Sequence, residues 1–434
     1  MKNKFLKISV WVISFLVILL IVISTYSYYL TADTEEFSLS EKTTQNISRI
    51  QLQQAIEFAS SFMYDQVEPS GRLIYRRKFG DEKFRTSKYN LLRHAGTVYS
   101  LYLYDNIYQQ ASSNSQKRFF KIRKNLISYM KKNYIKPMKN MYGMVSKKSE
   151  EGISVTKVKL GGLGLGLVAM AGYAEDSGSV SDQDKKIMNG LAEFILLLQN
   201  NDGSFTSAFN WEKKEKDYST NSLYYPGEAS LGLIFLYMFD KNPRWLEAGK
   251  KALSYLATTR KDQKKVPFDH WALIATDKLF ESGVELSTKE KKLLVEHAIK
   301  IVSSVLDKQI SRGKRRGAFE NNDRPCSLGT YVEGFVATIN LIKRSGINAR
   351  DLGMNESDLD LWILGLKNIT QNTVDYLYRV QVKKEDDSSF MLGAIPTVGE
   401  WRSLIKAGKQ VVSQIDNNQH VISGWIGWDK LVGE

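Results

Sequence analysis

Hydrophobic positions recur at intervals of three and four residues along most of the chain after residue 45. This spacing is typical of helices that bury one face. Twelve segments show it, and most have the ordinary length of a globular helix. Short stretches of β-like patterning interrupt them at residues 71–79, 203–211 and 388–396. The pattern predicts an all-α protein with a few short β-hairpin-like loops.

The twelve segments alternate between two kinds. Those of the first kind carry charges along one face, and we expect them to face water. They lie near residues 45–64, 121–135, 184–200, 243–260, 291–309 and 358–381. Those of the second kind are apolar on nearly all sides and rich in glycine and alanine, which predicts burial. They lie near residues 91–109, 160–175, 225–239, 269–282, 331–346 and 420–432. Stacked two-helix units of this sort bury a continuous core, so the alternation predicts an inner ring of six helices inside an outer ring of six.

This alternation resembles the (α/α)6 toroid, or six-hairpin, carbohydrate-active enzymes, which include glycoside hydrolases, polysaccharide lyases and sugar epimerases. The resemblance covers residues 45–432 as an architecture and singles out no individual family. It implies that a saccharide binds at one end of the inner ring. The segment LAEFILLLQNNDGSF (191–205) is also similar to a helix-to-turn segment of toroid proteins in general, including terpenoid cyclases and prenyltransferases. A cyclase-like or prenyltransferase-like toroid would need an Asp-rich cluster, and the only candidate in the sequence is the pair Asp386 and Asp387.

The N-terminal region has the features of a membrane anchor. Residues 8–30 contain no charged side chain, and 23 residues are enough to cross a bilayer. Lysines precede this segment and acidic residues follow it, so the positive-inside rule places residues 1–7 in the cytoplasm. A cleaved signal peptide is the alternative, but no small-residue cleavage site follows promptly. The sequence predicts an uncleaved transmembrane anchor, a tether at 31–41 and an extracytoplasmic toroid domain at 42–434, at the cell membrane.

Charge and composition limit the classes of molecule that this protein is expected to bind. The net charge is +14, and a basic domain outside a membrane attracts anionic lipid, anionic envelope polymer or an acidic substrate. With that topology we do not expect nucleic acid as a partner. The single cysteine excludes an internal disulfide framework and a Cys-rich zinc site. The run GGLGLG (161–166) matches a dinucleotide loop only superficially, because no βαβ unit surrounds it, and close helix packing explains it better. No cofactor is predicted.

Polar residues collect where the predicted inner helices begin. Alternate helices of such a ring run the same way, so their N-termini should meet at one mouth. Free backbone N–H groups and helix dipoles make such a mouth suitable for a carboxylate, sulfate or phosphate group. The candidate residues there are Arg93, His94, Tyr224, Tyr225, Glu228, Asp269, His270, Trp271, Glu333, Asp416 and His420.

Two kinds of chemistry remain open for these residues. In a hydrolase, Glu228 would protonate the leaving oxygen and Asp269 would activate water or attack. In a lyase or epimerase, His94 or His270 would remove the proton beside a uronate carboxylate, and Arg93 would neutralise the developing charge.

The other candidates would bind the substrate. Tyr224, Tyr225 and Trp271 would stack on sugar rings. Glu333, Asp416 and His420 would line the pocket.

Structural roles compete with these assignments. Asp269 and Asp416 are also ordinary helix N-caps, and Glu228 could complement a helix dipole. Glu333 could be structural, and His297 on an amphipathic helix has no predicted role. A metal site made of His94, His270 and His420 has no local spacing to support it, so none is predicted.

The sequence favours a membrane-anchored, extracytoplasmic enzyme that processes an envelope or capsular polysaccharide, expected to be anionic, by glycoside hydrolysis or by uronate lyase or epimerase chemistry. The alternative is a non-catalytic toroid that binds such a polymer or scaffolds an envelope-synthesis complex.

Overall fold

Long helices follow one another along the part of the chain that this computed structural model describes, which is residues 46–108, 113–178, 180–386 and 389–434. They are α1 Arg49–Asp65, α2 Leu91–Tyr108, α3 Ser113–Tyr134, α4 Leu160–Ser177, α5 Asp182–Leu198, α6 Tyr225–Asp240, α7 Pro243–Arg260, α8 His270–Glu281, α9 Thr288–Ser303, α10 Pro325–Ser345, α11 Glu356–Val380 and α12 Ile415–Gly433. Shorter helical turns lie at Lys148–Glu151, Leu306–Lys308, Ala349–Leu352, Lys384–Asp386, Ser389–Met391 and Trp401–Lys406.

The even-numbered helices form the inner ring. Each packs against the next, in the order α2, α4, α6, α8, α10 and α12, and α12 closes the ring on α2. Small residues allow this close approach: a Cβ atom on Gly232 of α6 would lie 2.4 Å from the backbone oxygen of Gly164 in α4. The glycines of the GGLGLG run therefore serve helix packing, as the sequence indicates.

The odd-numbered helices form the outer ring. Helix α1 packs on α12, α3 on α2, α5 on α4, α7 on α6, and both α9 and α11 on α10. Two of them begin with capping boxes, Ser48 with Gln51 in α1 and Ser287 with Glu290 in α9. The double ring predicted from the alternation of buried and amphipathic segments is confirmed.

Short antiparallel strands lie in the loops. They are β1 Arg76–Lys78, β2 Ile135–Met138, β3 Met141–Met144, β4 Lys157–Lys159, β5 Ala208–Asn210, β6 Glu215–Asp217 and β7 Val412–Gln414. Strand β1 pairs with β7, β2 with β3, and β5 with both β4 and β6. Because β4 leads directly into α4 and β7 into α12, these two sheets lie where inner helices begin. The β-like stretches 71–79 and 203–211 contain β1 and β5, whereas the described part of 388–396 forms the turn Ser389–Met391 and no named strand.

Two inner helices begin earlier than the sequence pattern suggests. Helix α10 begins at Pro325 rather than near 331, and α12 at Ile415 rather than near 420. A proline is well suited to the first turn of a helix, where its missing N–H has no partner to lose. Glu333 and His420 consequently lie one or two turns inside their helices rather than at the first residue.

Residues 46–434 form one unit. The predicted anchor at 8–30 and tether at 31–41 lie outside the described residues. Among the helices that the structure does describe, none has both the length and the apolar character required to span a bilayer.

Candidate functional site

Side chains from the first turns of several inner helices meet at one end of the ring, which we call the mouth. His270 is the first residue of α8, and its imidazole lies edge-on to that of His420 in α12, with ring centroids 5.2 Å apart. Tyr224, just before α6, makes a similar edge contact with His270, also at 5.2 Å. Arg93 from the first turn of α2 reaches Asp416 of α12. The predicted convergence of helix starts is therefore present for α2, α6, α8 and α12.

Glu333 of α10 joins the two imidazoles. Its Oε2 atom lies 2.9 Å from Nδ1 of His420 and 3.8 Å from Nε2 of His270. Its Oε1 atom accepts a hydrogen bond from the Ser423 hydroxyl. Neither ring nitrogen of His270 has a hydrogen-bond partner among the described residues, although both are buried. The arrangement is a chain of groups able to exchange protons, with one imidazole held by a carboxylate and the other unengaged.

The surroundings of the two imidazoles push their pKa values in opposite directions. Burial, reinforced by the charge of His420, holds the pKa of His270 well below its ordinary value. Burial also acts to lower the pKa of His420, but the charge and hydrogen bond of Glu333 outweigh it, and the pKa is raised. Paired titratable groups whose pKa values are driven apart are the usual signature of a base and an acid. His270 suits the neutral base and His420 the protonated acid.

Arg93 and Asp416 form the next part of the mouth. Nε of Arg93 lies 3.0 Å from Oδ2 of Asp416, and the guanidinium also donates to the Tyr75 hydroxyl. The other oxygen of Asp416 accepts from Gln414 at 2.7 Å. Asp416 therefore orients an arginine. It lies in the first turn of α12 and is not its N-cap, which is Gln414. The Arg93 side chain remains 40% exposed, so its guanidinium is accessible to a ligand.

Asp269 has a structural position instead of the predicted catalytic one. It is fully buried, and its Oδ1 caps α8 by accepting from the backbone N–H of Ala272 at 3.2 Å. Its Oδ2 accepts from the Arg260 guanidinium at 3.0 Å. Both oxygens are engaged and the side chain is fully buried, so the carboxylate is not placed to activate a substrate water. The alternative reading of Asp269 as an N-cap agrees with the structure.

His94 does not join the other histidines either. Its Nδ1 lies 2.7 Å from the Tyr89 hydroxyl, and its Nε2 lies 3.0 Å from the backbone oxygen of Leu126 in α3. The imidazole is fully buried, and burial lowers its pKa to about 4. It therefore connects α2 to α3 as a neutral core residue, and the structure removes it from the candidate bases.

Glu228 lies in the first turn of α6 and is buried, with 5% of the residue exposed. In the part of the chain that the structure describes, its Oε2 atom has no hydrogen-bond partner. Burial and, to a smaller extent, the charge of Asp269 raise the pKa of this carboxyl to about 8, against a weaker opposing effect of Lys159. At neutral pH it is a carboxylic acid that could donate a proton or a hydrogen bond.

The predicted aromatic residues divide between surface and core. Tyr224 is 41% exposed at the mouth, whereas Trp271 is 3% exposed and packs beside His270 and His420. Tyr225 is half-buried. Tyr224 is thus the one of these three best able to stack on a sugar, and Trp271 forms the wall behind the imidazoles.

Some residues of the mouth escaped the sequence analysis. Ser423 lies three residues after His420, so helical spacing could have placed it on the same face. Tyr75 and Gln414 come from the loop and strand segments around β1 and β7, and no sequence pattern linked them to α2 or α12. Cys326 lies 3.9 Å from Asp416. Burial and the charge of Asp416 raise the pKa of the Cys326 thiol well above its ordinary value, so it is a poor nucleophile.

A metal ion has one possible site among the described residues. Ligand atoms of His270, Glu333 and His420 all lie within 4.8 Å of one another. Two imidazoles and a carboxylate suit several transition metals. The set differs from the one considered in the sequence, because His94 is replaced by Glu333.

No protein-family model matches the chain, and no curated protein is significantly similar to it in sequence. Solved structures do share its architecture. Cellobiose 2-epimerase from Spirochaeta thermophila superposes with a TM-score of 0.58 at 13% identity, over 89% of this chain and 97% of that one. The GH76A α-1,6-mannanase from a Salegentibacter species gives 0.55 at 12% identity, over 88% and 99%. A possible GH105 member from Salmonella enterica gives 0.57 at 10% identity, over 91% and 98%.

At these identities the likeness establishes the fold. The chain is an (α/α)6 toroid of the type found in carbohydrate-active enzymes. The neighbours include both glycoside hydrolases and sugar epimerases, so the reaction has to be argued from the site itself.

Proposed function

We propose that this protein is a carbohydrate-active enzyme that moves a proton at a sugar carbon, by lyase or epimerase chemistry, on an anionic polysaccharide of the cell envelope. The observation that carries the proposal is the His270–Glu333–His420 group at the mouth. His270, neutral over the physiological range, removes a proton from a carbon beside a carbonyl or carboxylate group. His420, protonated and held by Glu333, delivers a proton to the opposite face of that carbon or to the leaving oxygen.

Other groups at the mouth support this chemistry. Negative charge develops on the substrate oxygen next to the reacting carbon, and cations or N–H donors aimed at that oxygen lower the barrier. Arg93 and the N-termini of the inner helices supply such groups. The ring of Tyr224 covers His270, and His420 is the more accessible imidazole, with 12% of its side chain exposed against 4% for His270. The proposal therefore includes rotation of Tyr224 when a sugar enters.

Hydrolysis is the second candidate, and one observation favours it. Glu228 has the raised pKa expected of a general acid. The base that the sequence assigned to it, Asp269, is occupied by Arg260 and the start of α8. A hydrolase at this mouth would need another carboxylate, such as Asp416, to activate water.

Exchange of solvent deuterium discriminates between these candidates. The full chain in detergent is incubated in D2O with anionic oligosaccharides, and the sugars are examined by NMR and mass spectrometry. Proton transfer at carbon leaves deuterium in the sugar ring or forms an unsaturated product that absorbs ultraviolet light. Hydrolysis gives new reducing ends without deuterium at carbon. Saturable binding with neither result would support the non-catalytic scaffold, and loss of activity with a chelator would indicate a metal at the His270 cluster.

We further propose that the enzyme is anchored in the cell membrane by residues 8–30, with the toroid outside. The uncharged segment and the lysines before it support this topology. Added protease should digest the toroid on intact spheroplasts while a tag fused to the N-terminus stays protected. Protection of both ends would contradict it.

A further inference from the structure

Glu228 is the carboxyl group of the mouth that the other described residues leave without a partner. Asp269 is bound by Arg260 and Ala272, Glu333 by His420 and Ser423, and Asp416 by Arg93 and Gln414. No described residue forms a hydrogen bond with the buried Oε2 atom of Glu228. A buried polar group without a partner costs about 1–3 kcal/mol, so a fold that retains one is expected to gain from it elsewhere.

The fold makes room for this side chain. A Cβ atom on Gly161, in the first turn of α4, would lie 1.7 Å from Oε2 of Glu228. A Cβ on Gly164 would meet the backbone oxygen of Glu228 at 2.2 Å. The starts of α4 and α6 therefore pack closely around the carboxyl. It occupies the space that the side chain of any larger residue at position 161 would need. One turn earlier on α6, Tyr224 contacts His270, so Glu228 lies one helical turn from a residue that touches the proton-transfer group.

The charged groups that face Glu228 leave it uncharged. Asp269, before α8, adds negative charge, and Lys159 at the end of β4 adds positive charge. Lys159 is already held by Glu151, to which it donates a hydrogen bond. Burial exceeds both effects, so the carboxyl keeps its proton at neutral pH. Tyr225 beside it is also uncharged there, since burial raises its pKa well above 10.

We propose that the carboxylic acid of Glu228 donates a hydrogen bond to the carboxylate of a uronic acid unit in the substrate. This inference rests on the proposed function, because it places that unit at the mouth beside His270. A hydrogen bond from a carboxylic acid to a carboxylate is charge-assisted and strong. When His270 removes the proton from the adjacent carbon, negative charge moves onto the substrate carboxylate, and the bond strengthens at that moment. The proton stays on Glu228 throughout, so the group selects and activates an acidic sugar without taking part in the transfer.

Binding measurements test this separately from catalysis. The probes are oligosaccharides of galacturonate, mannuronate and glucuronate, and their methyl esters, measured by calorimetry from pH 6 to 9.5 on the full chain in detergent. The variants are Glu228→Gln and, as a matched control, Glu281→Gln. Glu281 is the last residue of α8, at the opposite end of that helix from His270. Glutamine keeps the size of the side chain and a hydrogen-bond donor but cannot ionise. His420 also loses its charge as the pH rises through its raised pKa, and both variants retain this residue, so the comparison with wild type isolates Glu228.

We expect at least one uronate to bind both wild type and Glu281→Gln with an affinity that falls as the pH rises above 8. The fall should exceed the one seen in Glu228→Gln by about tenfold per pH unit. Its methyl ester should show no such additional fall. Equal pH dependence in wild type and Glu228→Gln, or no uronate binding more tightly than its ester, would overturn the inference. If wild type and Glu228→Gln showed equal pH dependence of binding but the enzyme still exchanged deuterium into the sugar, the proposed function would remain intact. Binding that follows Glu228 without any exchange or elimination would overturn the proposed function alone.

Discussion

Glu333 holds His420 through a 2.9 Å contact between Oε2 and Nδ1. The carboxylate and the imidazole come from α10 and α12, which are neighbours in the inner ring. This contact is the reason that His420 has a raised pKa although it is buried. The acid of the proposed reaction therefore depends on one carboxylate that does not itself have to touch the substrate.

Replacing Glu333 by glutamine should move the alkaline limit of activity. Wild-type kcat should be high while His420 is protonated and fall as the pH rises through its raised pKa. Without the carboxylate, burial and the charge of Arg93 lower that pKa, and only the smaller effect of the Asp416 charge raises it. We expect the alkaline limb of kcat, measured at saturating substrate, to shift to lower pH in Glu333→Gln. The Glu281→Gln variant, at the far end of α8, should keep the wild-type profile. A limb that stays in place in Glu333→Gln would show that His420 is not the acid.

The histidines should separate into functional and structural groups on substitution. His270→Asn and His420→Asn remove the proposed base and acid, and we expect each to lower kcat by about a hundredfold or more. His297→Asn is a matched control, because His297 is also buried but lies on the outer helix α9. Its activity should equal that of wild type at a temperature where the variant is fully folded. Full activity in His270→Asn would contradict the proposed mechanism.

The fold was predictable because it depends on composition spread over whole helices. Twelve segments that alternate between apolar and amphipathic are enough to specify two rings, and errors of several residues at the start of α10 or α12 do not change that result. The membrane anchor is also predicted from the composition of a long segment. Residues 8–30 lie outside the described part of the chain, so the anchor remains a prediction.

Individual roles at the mouth were harder to predict because they depend on which side chain faces which neighbour. Asp269 and His270 are adjacent in sequence, yet Asp269 turns outward to Arg260 of α7 while His270 faces Glu333. His94 also lies near the start of an inner helix, as the other two histidines do, but its imidazole contacts the backbone of α3. The direction of each side chain depends on packing between helices, which cannot be predicted from the spacing of residues within one helix. Glu333 could not be assigned for the same reason, since its partners are about 90 residues away in α12.

Asp269 and Arg260 should behave as a buried structural pair. Asp269→Asn leaves the guanidinium of Arg260 buried without its counter-charge, so the free energy of unfolding should fall by about 3–5 kcal/mol. The double variant Asp269→Asn/Arg260→Met should recover much of that loss, because both charges are gone. Denaturant titration of wild type and the two variants provides the measurement. A catalytic Asp269 would instead give an inactive variant with wild-type stability.

His94 should make folding sensitive to acid. Its pKa is about 4 in the folded protein, below its ordinary value of 6.5, so the unfolded chain binds the proton more readily. The stability that comes from the neutral imidazole is present above pH 6.5 and is lost as the pH falls towards 4. Between pH 7 and pH 5 this residue should account for a loss of about 2 kcal/mol in the free energy of unfolding. His94→Gln should remove that part of the pH dependence, as measured by denaturant unfolding at both pH values. His297, whose pKa burial also lowers, to about 3, contributes in the same direction and is unchanged in the variant. If His94→Gln kept the full wild-type dependence, the imidazole would have to be accessible to water, and its removal from the candidate bases would be wrong.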